Sequence, residues 1–140
     1  METLNKFILL PNFEKKLLIK AIFLILLVRF VTFILPFGIT KIFLLKSKAV
    51  KHGHILNPPS QDKIRWAVDA ITNKIPFTKN CLVKSIVIHI LFLNSGYESK
   101  INFGIMKNNN EKLNAHAWIE SEGKIFSSEE GLYNYTLMQP

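Results

Sequence analysis

Cys81-Leu82-Val83-Lys84-Ser85-Ile86-Val87-Ile88-His89-Ile90-Leu91-Phe92-Leu93-Asn94 is apolar on nearly every side of the helix it predicts. A helix without a polar face is a buried helix, so the rest of the chain is expected to pack around this stretch. Gly96 follows as a C-cap signal. Beyond it the period changes. Residues 101–105 (INFGI) alternate as a strand, and Asn108-Asn109-Asn110 reads as a loop. Residues 113–120 and 124–128 flank Glu122-Gly123, which reads as a tight hairpin turn. A buried helix followed by an antiparallel meander predicts an α+β fold, with the Cys-bearing helix packed on a short antiparallel sheet.

Working back from Cys81, Ile75-Pro76-Phe77 closes a helix over residues 61–74. Its apolar Ile64, Val68 and Ile71 stand at helical spacing, with Trp66 and Ala67 alongside. Ser60 is placed to cap it, and Pro58-Pro59 cannot continue any earlier helix. Asn57-Pro58-Pro59-Ser60 therefore divides the chain into an apolar helical segment, residues 1–56, and a core, residues 57–140.

Within the first segment, residues 17–35 (LLIKAIFLILLVRFVTFIL) form an apolar, helix-length run that Pro36 and Gly38 end. A second apolar piece, residues 39–45, runs into Lys46, Lys48 and Lys51. The first run is too long for a cleaved signal peptide, and no small-residue cleavage site follows it. Arg29 would lie near the middle of a span. It costs about 2.5–3.5 kcal/mol there, against a gain of about 0.3–0.6 kcal/mol for each Leu, Ile, Phe or Val. That balance leaves two readings open: one transmembrane helix, or an apolar helix that lies on the core or along a membrane surface. Lys20 and Arg29 fall on opposite sides of the helix, and the cost of Arg29 favours surface association.

A chain of 140 residues fits one domain. The single cysteine excludes an internal disulfide and points to a reducing compartment, the cytoplasm. The formal charge of +8 suits an acidic partner or an anionic membrane surface, but lysines spread along the chain read first as a solvated basic surface. The lysines form no block with interleaved aromatics, and no nucleic-acid-binding motif is present, so no nucleic-acid partner is expected.

Cys81 stands where a loop meets the start of the buried helix. The unpaired N–H groups and positive dipole end there stabilise a thiolate, and the same N–H groups can hold an oxyanion. A thiolate nucleophile needs a base. His89 lies eight residues on along the same helix, about 12 Å away, and reads as a packing histidine. His52 and His54 lie in a loop without a second ligand pair, so no metal site is expected. His116 remains, mid-strand in Asn114-Ala115-His116-Ala117-Trp118, where two alanines leave room for a helix to approach.

A helix opened by Cys, then a strand carrying His, then a returning strand with an acidic residue is the chain order of transglutaminase-like and papain-like thiol enzymes. More narrowly, the sequence resembles the stand-alone leader peptidases of lasso-peptide biosynthesis. The resemblance rests on Ile75-Pro76-Phe77, Cys81-Leu82-Val83-Lys84-Ser85, Leu93-Asn94-Ser95-Gly96-Tyr97-Glu98, residues 101–105, Ala115-His116-Ala117-Trp118-Ile119-Glu120 and Glu122-Gly123. Leu35-Pro36-Phe37 at the end of the apolar run is also similar.

The resemblance implies a cysteine peptidase that needs no cofactor and removes the leader from a ribosomally made precursor peptide. It would work beside a separate leader-recognition protein and an asparagine-synthetase-like cyclase. Cys81 would attack the scissile carbonyl, and His116 would act as base and then as acid. An acidic residue would hold the imidazole. Where relatives usually carry Asp, this chain has Ser128. A two-residue turn at Glu122-Gly123 sets His116 opposite Glu129, so Glu129 is the candidate orienter, ahead of Glu130 and then Ser128. Trp118 shares the face of His116 by alternation and either walls the site or fills the core. Two other readings remain. One is a transglutaminase-like acyl-transfer enzyme acting on another peptide or amide. The other is a non-catalytic, membrane-associated interaction protein.

Overall fold

An all-apolar helix needs apolar neighbours on several sides. The computed structural model, which describes residues 9–35, 57–75, 81–107, 112–126 and 135–137, supplies them from two helices and a four-stranded sheet. The elements run α1 (Asn12–Ile34), α2 (Gln61–Thr72), α3 (Cys81–Asn94), β1 (Lys100–Lys107), β2 (Leu113–Ser121), β3 (Lys124–Phe126) and β4 (Thr136–Leu137). Residues 39–45, 76–80 and 127–134 fall outside the described residues, and with them the second apolar piece and the loop before Cys81.

Local chemistry explains the helix ends. The Ser60 hydroxyl accepts the Lys63 N–H at 3.3 Å, which caps α2 as its sequence predicts. At the far end of α3, the Tyr97 N–H reaches the Phe92 carbonyl at 2.9 Å and the Gly96 N–H reaches that of Leu93 at 3.1 Å. Gly96 takes φ +84°, so this is a Schellman stop, and Tyr97 seals it by packing edge-on against Phe92 at 5.9 Å.

The sheet order is β3-β2-β1-β4, and every pairing is antiparallel. Glu122 and Gly123 both have positive φ, 50° and 77°, which makes the β2–β3 connection a primed two-residue turn. Its register pairs Ser121 with Lys124, as the sequence predicts, and Ile119 with Phe126. β4 was not expected; it extends the sheet by two residues beside Gly104 and Ile105.

α3 lies between the other two helices and one face of the sheet. Ile101, Phe103, Ala117, Ile119 and Phe126 of the sheet join the buried cluster with Val83, Val87, Leu91 and Phe92 of α3. On the other side α1 contributes Leu17, Leu18, Ala21, Ile25 and Val28, so its core is continuous with that of residues 57–140. The opposite face of the sheet carries Asn102, Gly104, His116 and Trp118, which alternate with the core residues.

Candidate active site

Cys81 is the first residue of α3 and is half-buried. The first-turn N–H groups that follow it have no intrahelical carbonyl to pair with. Residues 81, 84, 85 and 88 share one side of the helix, and with Ala117 of β2 and Phe126 of β3 they line a small cavity. Its fourth wall is charged. Asp69 of α2 takes the Lys84 Nζ at 2.6 Å and the Arg65 Nε at 3.5 Å, joining α2 to α3 beside the thiol. Helical spacing from Cys81 marks Lys84 and Ser85 as its neighbours. Nothing local in the sequence marks Arg65 and Asp69, which only the packing of α2 brings there.

One hydrogen bond connects the two candidate elements. The buried Ser85 hydroxyl donates to the Ala117 carbonyl at 3.0 Å. One turn after Cys81, α3 is thereby tied to the residue that follows His116.

His116 itself is 3% exposed. Its ring stacks on Trp118, with centroids 6.1 Å apart and planes at 19°, and meets Tyr135 at 5.6 Å. Successive strand residues point to opposite faces. Because Ala117 faces the Cys81 cavity, the His116 side chain is directed to the other face of β2. The fold thus brings the backbone of His116 to the Cys81 helix, while the ring sits in an aromatic cluster on the far side. Gly104, directly across from His116, makes that cluster possible. A Cβ there would lie 2.8 Å from the Tyr135 Cβ and 2.9 Å from the Trp118 ring.

Glu129, Glu130 and Ser128 lie outside the described residues, as do His52 and His54. His89 is buried in the core, as expected. Its Nδ1 lies 2.7 Å from the Ser99 hydroxyl and its Nε2 has no hydrogen-bond partner. Burial lowers its pKa from the usual 6.5. Among the described residues, no group of three or more His, Cys, Asp or Glu side chains could hold a metal ion.

Comparison with known families adds one finding. The family model for the transglutaminase-like superfamily matches residues 24–139. No curated protein and no solved structure matches the chain. The match covers most of the sequence and runs from within α1 past β4, so the chain belongs to the transglutaminase-like superfamily, whose members include cysteine peptidases and acyl-transferases.

Proposed function

We propose that this member of the transglutaminase-like superfamily is a cysteine peptidase that removes the leader from a ribosomally made lasso-peptide precursor. The observation that carries the reading is Cys81 at the opening of a buried helix, tied by Ser85 to the strand of His116. The Cys81 sulfur attacks the scissile carbonyl carbon, and the first-turn N–H groups of α3 receive the developing oxyanion. His116 takes the thiol proton and gives it to the departing amine. Water then hydrolyses the thioester, releasing the leader's new carboxylate and restoring the thiol. Glu129 orients the imidazole by the register argued above. A separate leader-recognition protein delivers the precursor, and an asparagine-synthetase-like cyclase uses the freed amine.

One observation favours a second reading, a non-catalytic interaction protein: the His116 ring lies on the face of β2 away from the Cys81 cavity. Proton transfer requires the ring to reach the sulfur, so the peptidase reading includes a shift of the His116 side of β2 when substrate binds.

Precursor cleavage followed by mass spectrometry tests the proposal. Wild type with the leader-recognition protein should release leader and core, and the chain alone should act weakly. Cys81→Ala should lose at least about 10³-fold in rate. Cleavage by Cys81→Ala at the wild-type rate would end the thiol-enzyme reading. Preferential transfer of the acyl group to an added amine rather than to water would replace hydrolysis by acyl transfer.

A further inference from the structure

α1 is long and apolar enough to cross a membrane, yet its buried residues all lie on one side. At about 100° per residue, Leu17, Leu18, Ala21, Ile25 and Val28 occupy one arc, the arc packed on α2 and α3. Ile19, Phe23, Leu26, Phe30 and Ile34 fall within an arc of about 80° on the opposite side. Each of these five is more than half exposed. They form a continuous apolar stripe about 22 Å long.

The only charges between residues 17 and 34 are Lys20 and Arg29, and they stand about 180° apart. That opposition does not suit a single buried stripe. It does suit a helix with two apolar faces, because each cation then falls on one of the two seams between them. The outward face of an ordinary surface helix is polar; this one is polar only at its borders.

We infer that the outward face of α1 lies in the plane of an anionic lipid bilayer, with its aliphatic and phenylalanine side chains at the headgroup–acyl boundary and Lys20 and Arg29 reaching the headgroups from either side. The helix lies flat because its inner face is already taken. Leu17, Leu18, Ala21, Ile25 and Val28 are packed on α2 and α3, and a Lys63–Glu14 ion pair at 3.1 Å joins α2 to the start of α1. Standing α1 upright in the bilayer would draw Asp62, Lys63, Arg65 and Asp69 of α2 toward hydrocarbon. Charge selects lipid over a second copy of the chain. Both seams are cationic and the chain carries +8, so two copies placed face to face would set cation against cation at each border. Anionic headgroups meet the same cations favourably, and long basic side chains extend to them while their stems cover apolar surface.

The test uses the full chain and vesicles, independently of any peptidase activity. Binding to phosphatidylcholine vesicles containing phosphatidylglycerol should exceed binding to phosphatidylcholine alone by at least tenfold, and should weaken with salt. Lys20→Gln with Arg29→Gln should lose about thirtyfold, at about fivefold per cation. Phe23→Ser with Phe30→Ser should lose at least tenfold while the circular dichroism stays that of wild type, since neither side chain enters the core. Phe23→Trp and Phe30→Trp should be quenched at the same shallow depth by brominated lipids. No binding to the anionic vesicles would overturn the inference. So would a deep Phe30→Trp with a shallow Phe23→Trp, which signifies a span. A soluble dimer that the double Ser variant converts to monomer would assign the face to a second copy. Either tryptophan shielded from acrylamide before vesicles are added would mean that the chain itself covers the face.

Discussion

His89 and His116 are equally hidden, each 3% exposed, and they lie on opposite sides of the same sheet. His89 projects from α3 into the helix–sheet core, where its Nδ1 meets the Ser99 hydroxyl and its Nε2 meets no partner. Carbon surrounds it, and charging it there is costly. His116 is buried by aromatic rings, Trp118 and Tyr135, against a strand whose glycine leaves them space. Burial therefore does not separate a packing histidine from the base proposed for Cys81; what distinguishes His116 is its backbone connection to the Cys81 helix. His89 sits in a lining with nothing to exchange a proton with except one hydroxyl. The backbone of His116 is tied through Ala117 and Ser85 to the helix that presents the thiol.

The sharpest way to break this contrast is to remove each histidine in turn and follow precursor cleavage. His116→Ala should lower the rate by about 10²–10⁴-fold, the usual worth of a positioned acid–base group. His89→Gln should leave the rate near wild type, because its site is separated from Cys81 by two turns of helix. Equal losses in the two variants would mean that both act only through the fold. A fully active His116→Ala would remove the proposed base.

A smaller effect compares the packing of the two faces. Gly104→Ala places a methyl group against the Trp118 ring and the Tyr135 Cβ at under 3 Å, and two of those atoms belong to a ring that cannot fold away. Overpacking of this kind costs about 1–3 kcal/mol. Ile119→Val, on the helix side, removes one methylene from a fully buried residue and should cost about 0.5–1.5 kcal/mol. Urea denaturation of both variants tests the ranking. Gly104→Ala as stable as wild type would show that the aromatic cluster around His116 is loose.

Much of this architecture was legible where the signal is local. Ser60 capping α2, Gly96 ending α3 and Glu122-Gly123 setting the β2–β3 register are choices made within a few residues. Three features were not. β4 is two residues long and carries no period to read. The Asp69–Lys84 pair beside Cys81 depends on how two helices approach each other, which neither helix's own pattern encodes. The face of β2 that receives α3 was the third: naming His116 as the base of Cys81 set its side chain toward α3, whereas Ala117 faces that helix. Alternation correctly grouped His116 with Trp118, but that face and the face of Ala117 and Ile119 are both apolar enough to be buried, and both are. Period two says which residues point together; it does not say toward what. The orienting role proposed for Glu129 rests on the register alone, since the described part of β3 ends at Phe126.

The smallest expected effect is a pH dependence of stability that belongs to His89 alone. Its folded pKa is lowered from 6.5 because burial penalises the charged ring. The unfolded chain therefore binds a proton near pH 6.5 while the folded chain still resists it. Since the unfolded state then holds more protons, stability rises with pH through this interval and falls as the solution is acidified. The contribution of His89 is fully present above about pH 7 and is lost progressively below 6.5, down to its lowered folded value. His89→Gln keeps a side chain able to bond the Ser99 hydroxyl but cannot charge. Urea midpoints measured from pH 7.5 down to 5 should diverge: wild type should lose stability faster than His89→Gln. Subtracting one profile from the other removes what the two proteins share and leaves the contribution of position 89. Parallel profiles would mean that the folded protein accepts a proton at His89 as readily as the unfolded chain does, and that water reaches the Nε2 on the helix side of the sheet.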